Sequence, residues 1–321
     1  MKTMIAIKAT SFGRAEIVSD VAIPFIEDHP GYVLVKTNFV GINHCDHQFI
    51  HHPVLFNPGL TISAEFSGLV MDAEQGSTRL KIGDRVAGYT FPSGDLRPNA
   101  GAYAKFLLVK ADALLCVVEE WAATWHWTGP VMFEEGSHGR RTILIYGGAT
   151  TTGRMAVQLA KLSGLRVIAT CSPVNFELVT QLGANEAFDY HDARRCAGDI
   201  LSVDGEVELV LDCVGGFESP QICVDAMAAG GAYYSVTPTP SPRTDAKSSF
   251  VAGNKVLGES SLFLGSTFPR TWRLSRVGRK FVPLVEKLIA EGLLKLRIKE
   301  LGEWNHNVSK YVAQVTGKCQ W

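Results

Sequence analysis

Apolar and polar positions follow two different patterns along the chain. From Met1 to about Asp112, short runs such as YVLVKTNFVGI, SGLVM and AYAKFLLV alternate between the two classes and are separated by PG, GD and SG turns. Period-two alternation between turn signals predicts a compact β-rich domain. From Thr142 the pattern changes. TILIY reads as a short, wholly apolar strand, RMAVQLAKLSG as a helix closed by Gly164, and RVIATC as a second strand. NFELVTQLGA then predicts a helix stopped at Gly183, and VELVLDCVGG a later strand. Strands apolar on both faces, alternating with helices, predict βαβ units and a parallel sheet, so the fold class is α/β. In the tail, RKFVPLVEKLIAEGLL predicts a further helix. The join WAATWHWTGPVMFEEGSHGRR has little periodicity and receives no assignment.

Composition narrows the function classes. With 321 residues, 46% of them hydrophobic and 20% charged, the chain is long for one domain and comfortable for two. A formal net charge of -1 leaves no basic excess to neutralise phosphates, so nucleic acid is not an expected partner. No apolar run reaches the roughly 18 residues of a membrane span. The N-terminal MKTMIAIKATSFG breaks its apolar stretch at Lys8 and has no small-residue cleavage site, which argues against a signal peptide. The seven cysteines are odd in number and form no CxxC pair, as expected of reduced thiols in a cytoplasmic protein.

The clearest chemistry follows the TILIY strand, in GGATTTGRMAVQLA. A strand, a glycine-rich turn and a helix N-terminus aim backbone N–H groups and the positive end of the helix dipole at one point, where a diphosphate binds. Gly147 permits the tight turn and Gly153 lets the helix pack close, while Thr150 or Thr151 replaces the central glycine of the dinucleotide fingerprint. The second strand ends ATCSPVNF, with no acid until Glu177. A carboxylate there would hold a ribose 2′-hydroxyl and repel a 2′-phosphate, so Ser172 and Asn175 favour NADPH over NADH. The plainer alternative is that both residues cap the following helix.

A second cluster, GINHCDHQFIHH, carries His44, Cys45, Asp46, His47, His51 and His52. On a helix, His47 and His51 share a face and could chelate zinc or nickel, with His52 beside them. Solvated histidines at a helix start before the Pro53 break are the plainer reading of His51 and His52. Cys45 reads as a buried, inert thiol.

GDRVAGY at 83–89, TILIYGGATTTGRMAVQLAKLSG, CSPVNFELVTQLGANEAFDY and LDCVGG together resemble the medium-chain dehydrogenase/reductase superfamily. Within it they resemble the fungal trans-acting enoyl reductases of polyketide biosynthesis. The resemblance implies a GroES-like catalytic domain at 1–112 and 262–321 and a Rossmann domain at 113–261. It also implies NADPH as hydride donor, an enoyl thioester as substrate, and a polyketide synthase or its acyl-carrier domain as partner in secondary metabolism. Asn43 stands where zinc members carry a ligand cysteine and Ser63-Ala64-Glu65 where they carry a histidine motif, so no metal is expected.

Residue by residue, the resemblance assigns Gly147, Gly148, Ala149, Thr150, Thr151, Thr152 and Gly153 to the diphosphate. Ser172, Pro173, Val174 and Asn175 fall to the 2′-phosphate and Tyr190 to the adenine. Ser235 and Val236 lie by the nicotinamide, and Leu257, Gly258, Glu259 and Ser260 by the acyl pocket. Residues 44–47 line the cofactor and substrate cleft, Cys45 and Asp46 on the cofactor side; the candidate donors to the thioester oxygen are backbone N–H groups, a nicotinamide ribose hydroxyl, or His44 and His47. A monomer is slightly favoured over a homodimer. Three departures stand out: the short middle segment, His44-Cys45-Asp46 in place of Pro-Thr-Asp, and the end at VTGKCQW. They keep two further readings open, a redox-inactive enzyme catalysing a cyclisation or other non-redox step, and a non-catalytic synthase subunit.

Overall fold

The computed structural model describes residues 2–27, 29–52, 56–74, 78–92, 97–116, 141–237, 239–250, 261–263, 266–268 and 272–295. The chain divides into two compact units, Met1–Trp127 with Gly253–Trp321, and Thr128–Ala252. The unassigned join and residues 257–260 fall mostly or wholly outside the described residues.

The first unit opens with an antiparallel hairpin, β1 (Thr3–Ser11) and β2 (Arg14–Ala22). Next come β3 (Tyr32–Val40), helix α1 (His44–His51), β4 (Glu65–Ala73), β5 (Arg85–Tyr89), β6 (Phe106–Lys110) and β7 (Leu114–Cys116). Five of these strands form an antiparallel sheet in the order β6-β3-β4-β5-β7. The expected alternation is clearest in β3, where Val33, Val35 and Thr37 are buried between more exposed neighbours. Val33, Val35, Phe66, Val70, Val86 and Leu107 build one core. A second core of Ile7, Phe49, Ile50, Ile62, Phe91 and Tyr103 seats α1.

Two short strands pair antiparallel near the chain's end, β8 (Ser261–Phe263) and β9 (Ser266–Phe268). They precede helix α2 (Trp272–Ala290), which begins at Trp272 rather than Arg279 as the pattern predicts. Gly278, a weak helix former, obscures the earlier start. Phe281, Val285 and Ile289 are buried at fourfold spacing along one stripe. Beside it, Glu286 accepts a hydrogen bond from the Cys116 backbone N–H at 2.6 Å and an ion pair from Arg79 at 3.0 Å. Arg79 also donates to the Leu114 carbonyl. One carboxylate thus joins the helix to the last strand of the sheet.

The second unit is a six-stranded parallel sheet. In chain order its strands are β10 (Thr142–Tyr146), β11 (Arg166–Thr170), β12 (Glu186–Phe188), β13 (Val207–Asp212), β14 (Met227–Ser235) and β15 (Lys247–Phe250). Their spatial order is β12-β11-β10-β13-β14-β15, with every neighbouring pair parallel. That is the doubly wound order in which the chain reverses direction across the sheet between its first and fourth strands. The helices are α3 (Thr151–Leu162), α4 (Phe176–Gln181), α5 (Ala193–Asp204) and α6 (Ser219–Asp225). Both faces of β10 are buried: Ile143 and Ile145 pack with α3, Leu144 and Tyr146 with α5 and α6. This two-sided burial is why the strands read as continuous apolar runs. Gly164 and Gly183, at φ +78 and +116, close α3 and α4 as expected.

Removing the Glu286 carboxylate leaves two donors without their acceptor. Glu286→Ala is expected to lower stability by about 1–2 kcal/mol. Chemical denaturation followed by tryptophan fluorescence measures this; an unchanged midpoint would refute the tie between helix and sheet.

Candidate functional site

The parallel sheet's first turn is held open by its own backbone. Gly147, at φ +77, donates its N–H to Thr170 Oγ1 at 3.1 Å, and Gly148 donates to the Thr170 carbonyl at 2.8 Å. Thr150 caps α3: its hydroxyl donates to the Gly147 carbonyl at 2.8 Å and accepts from the Gly153 N–H at 3.0 Å. A Cβ at residue 153 would lie 2.1 Å from the Gly147 oxygen, so the helix approaches this closely only with glycine there. The N–H groups of Ala149, Thr151 and Thr152 take no acceptor among the described residues. They emerge at the positive end of the α3 dipole, which has no acid in its first turn. This cradle fits a diphosphate.

At the end of β11, Ser172, Pro173, Val174 and Asn175 form a tight 3-10 turn. Neither Ser172 nor Asn175 caps a helix with its side chain, which corrects the capping alternative. Instead the Ser172 hydroxyl lies 3.3 Å from that of Tyr190. The Tyr190 ring stacks on His191 at 4.5 Å. His191 also engages Asp189, whose carboxyl is held below its usual range by that hydrogen bonding.

Pattern reading passed over Asp212, which ends β13. Its buried carboxylate accepts from the N–H groups of Val214 at 2.9 Å and Gly215 at 2.8 Å, and from the hydroxyls of Ser219 at 2.7 Å and Tyr233 at 2.9 Å. An acid closing the apolar run VELVL was the available signal. Gly215 sits at φ +66 and its carbonyl accepts from Thr237 and Thr239, which ties the loop after β13 to the loop after β14. Ser235 is buried and shares a hydrogen bond with Thr237 at 3.1 Å, while Val236 N–H donates to the Asp212 carbonyl at 3.1 Å. A Cβ on Gly147 would lie 2.6 Å from Val214, so these loops and the glycine turn border one crevice. It lies at the carboxyl ends of the strands where their order reverses, the position at which open parallel sheets bind ligands.

In the first unit, α1 presents the histidine-rich stretch. His44 begins the helix, but its side chain lies outside the described residues. His47 and His51 stack ring on ring at 4.1 Å. His51 is half-buried rather than solvated: its Nε2 has no hydrogen-bond partner, and burial together with His47 lowers its pKa. Asp46 has no exposed surface. One of its oxygens accepts from the Asn43 N–H at 2.8 Å and from Tyr103 at 3.3 Å; the other has no partner. Burial raises its pKa to about 7. Asp46 thus organises the start of α1. Burial and the nearby carboxylates of Asp46 and Glu65 raise the Cys45 thiol, which disfavours a nucleophilic thiolate.

The sequence matches the model of the alcohol dehydrogenase GroES-like domain over residues 29–119 and that of the zinc-binding dehydrogenase over 151–278. The fold is similar to a quinone oxidoreductase of Pseudomonas syringae pv. Tomato DC3000, with a TM-score of 0.72 at 21% identity over 98% of this chain and 97% of that one. An Escherichia coli quinone oxidoreductase complexed with NADPH gives 0.68 at 17% identity, covering 93% and 91%. A GroES-like unit beside a doubly wound nucleotide-type unit defines the medium-chain dehydrogenase/reductase class. The chain is 32% identical over 326 residues to the trans-enoyl reductase resD of Aspergillus sclerotiorum, spanning 91% of this chain and 90% of that protein. It is 34% identical over 264 residues to the trans-enoyl reductase TOXD of Cochliobolus carbonum, spanning 77% and 88%. The chain belongs to the trans-enoyl reductase family within that class.

The second model's description names zinc. The Asn43 side-chain amide donates to Glu65 at 2.9 Å, a contact that leaves a carboxylate paired with a neutral group and no thiolate. Among the described residues, no three of His, Cys, Asp and Glu converge on a point that could hold a metal ion. Likewise, no helix among them is long and apolar enough to cross a membrane.

The raised Asp46 pKa makes stability depend on pH. Between the usual carboxylate value of 3.8 and about 7, the folded protein holds a proton that the unfolded chain releases, so stability falls as pH rises through that window. Asp46→Asn keeps the neutral form and is expected to stabilise increasingly from about pH 4 to about pH 7, by up to about 4 kcal/mol, and to level off above that. Thermal unfolding at a series of pH values measures the difference, and a pH-independent difference would contradict a protonated Asp46.

Proposed function

We propose that the chain is an NADPH-dependent trans-acting enoyl reductase that reduces the α,β-unsaturated thioester of a polyketide chain held by a separate synthase. The observation that carries this reading is the cradle of Ala149, Thr151 and Thr152 N–H groups at the reversal point of a doubly wound sheet. Membership among trans-enoyl reductases supports the reaction class. The paired hydroxyls of Ser172 and Tyr190, with Asn175 not spent on capping, offer neutral donors to a 2′-phosphate where an NAD binder places an acid. That supports NADPH over NADH.

When bound, the nicotinamide supplies a hydride to the β-carbon of the enoyl group. The rest falls to the protein. The loops fixed by Asp212 would support the nicotinamide half at Ser235 and Val236. Negative charge then builds on the thioester oxygen, where His44 and His47 are the proposed donors before a proton reaches the α-carbon. Cys45, held as a thiol, takes no nucleophilic part. The acyl pocket assigned to Leu257–Ser260 lies outside the described residues. The proposed partner is the acyl-carrier domain of a polyketide synthase, met in the cytoplasm by a monomer.

The direct test incubates the protein with an α,β-unsaturated thioester of a pantetheine carrier mimic and either NADPH or NADH. The expected result is one saturated thioester per NADPH oxidised, with NADH at least about tenfold slower, as the missing acid requires. No reduced product with NADPH intact would refute the proposal. A rearranged product formed without nicotinamide turnover would instead favour the cyclising alternative.

A further inference from the structure

Resting on that cofactor reading, one buried charge stands between the two halves of the crevice. Asp212 ends β13, where the strand order reverses, and its register partners are Tyr146 at the end of β10 and Ser235 at the end of β14. The glycine turn begins one residue past Tyr146, and Ser235 and Val236 are the residues assigned to the nicotinamide. Neighbouring strands lie about 4.8 Å apart, so the Asp212 backbone is one strand spacing from each. Val236 is tied closer still, since its N–H donates to the Asp212 carbonyl at 3.1 Å.

Four neutral dipoles solvate the fully buried Asp212 carboxylate: the Val214 and Gly215 N–H groups on Oδ1, and the Ser219 and Tyr233 hydroxyls on Oδ2. Every partner donates, as an ionised carboxylate requires. No lysine, arginine or histidine among the described residues pairs with it, so the dipoles stabilise the charge without cancelling it. Its field reaches the surroundings. After burial, the Asp212 charge is the next cause that raises the pKa values of Cys213, Cys223 and Tyr233.

An anion one strand away from a diphosphate cradle works against phosphate binding. It works in favour of a positive group on its other side. The nicotinamide ring is neutral as the hydride donor and cationic once the hydride, a proton with two electrons, has left it for the β-carbon. We infer that Asp212 tunes hydride donation: its buried negative charge stabilises the cationic, oxidised nicotinamide over the reduced one and makes the bound cofactor a stronger donor. Asp212 acts through space from beneath the loops and is not itself a catalytic residue. The alternative is a structural role, in which the carboxylate does no more than hold the loops.

Isothermal titration calorimetry with NADP+ and with NADPH separates the two roles. The ratio of the two dissociation constants follows the charge, whereas a loosened loop weakens both. Asp212→Asn removes the charge; Tyr233→Phe removes one of the hydrogen bonds and keeps the charge. The native protein is expected to bind NADP+ at least as tightly as NADPH. Asp212→Asn should weaken NADP+ relative to NADPH by about tenfold, the worth of a unit charge one or two strand spacings away, and Tyr233→Phe should keep the native ratio. An unchanged ratio in Asp212→Asn, or an equal shift in Tyr233→Phe, would overturn the inference. So would a native protein that prefers NADPH by about tenfold or more, a measurement that stands even if Asp212→Asn does not fold. Failure of the native protein to bind either nucleotide would overturn the cofactor reading and the inference with it.

Discussion

A methyl group at residue 153 would come within 2.1 Å of the Gly147 carbonyl oxygen, and that close approach governs the nucleotide-type unit. Because the helix begins against the turn, Thr150 closes the gap with two hydrogen bonds, and the Gly147 and Gly148 N–H groups are drawn to Thr170 on the next strand. What remains is a row of N–H groups that no described residue accepts, at the positive end of a helix. The parallel sheet supplies the rest. Its strand order reverses at this turn, so the loops after β10 and β13 diverge and leave a crevice above the sheet.

Two buried carboxylates organise the two units in contrasting ways. Asp212 meets four donors, two backbone and two hydroxyl, and fixes the loops that border the crevice. Asp46 meets two donors on one oxygen and none on the other, so burial favours its protonated form. The difference follows from surroundings. Asp212 lies at the end of a strand, where turning backbone presents N–H groups to one oxygen and two hydroxyls meet the other; Asp46 lies in the first turn of α1, where one oxygen takes the Asn43 N–H and buried surroundings offer the other no donor.

Local pattern foretold the βαβ elements well. Ile143, Leu144 and Ile145 are apolar because both faces of β10 are covered, and Gly164 and Gly183 stop helices because their φ is positive. Contacts across long sequence separations were not foretold. Tyr103 reaches Asp46 from the segment before β6, 57 residues away, and Glu286 reaches Arg79 from the far end of the chain. Ser172 illustrates the limit of local rules: its position suits a helix cap, yet its hydroxyl pairs with Tyr190, two residues past the neighbouring strand β12. His51 illustrates it again. Read as a solvated residue at a helix start, it lies in the last turn of α1, half-buried and stacked on His47.

The central claim is that the glycine turn of the parallel sheet is a diphosphate cradle. A crystal structure of the protein with NADPH tests it most directly. The predicted result places phosphate oxygens within hydrogen-bonding distance of the Ala149, Thr151 and Thr152 N–H groups. A dinucleotide bound elsewhere on the protein, with those N–H groups left to water, would contradict it.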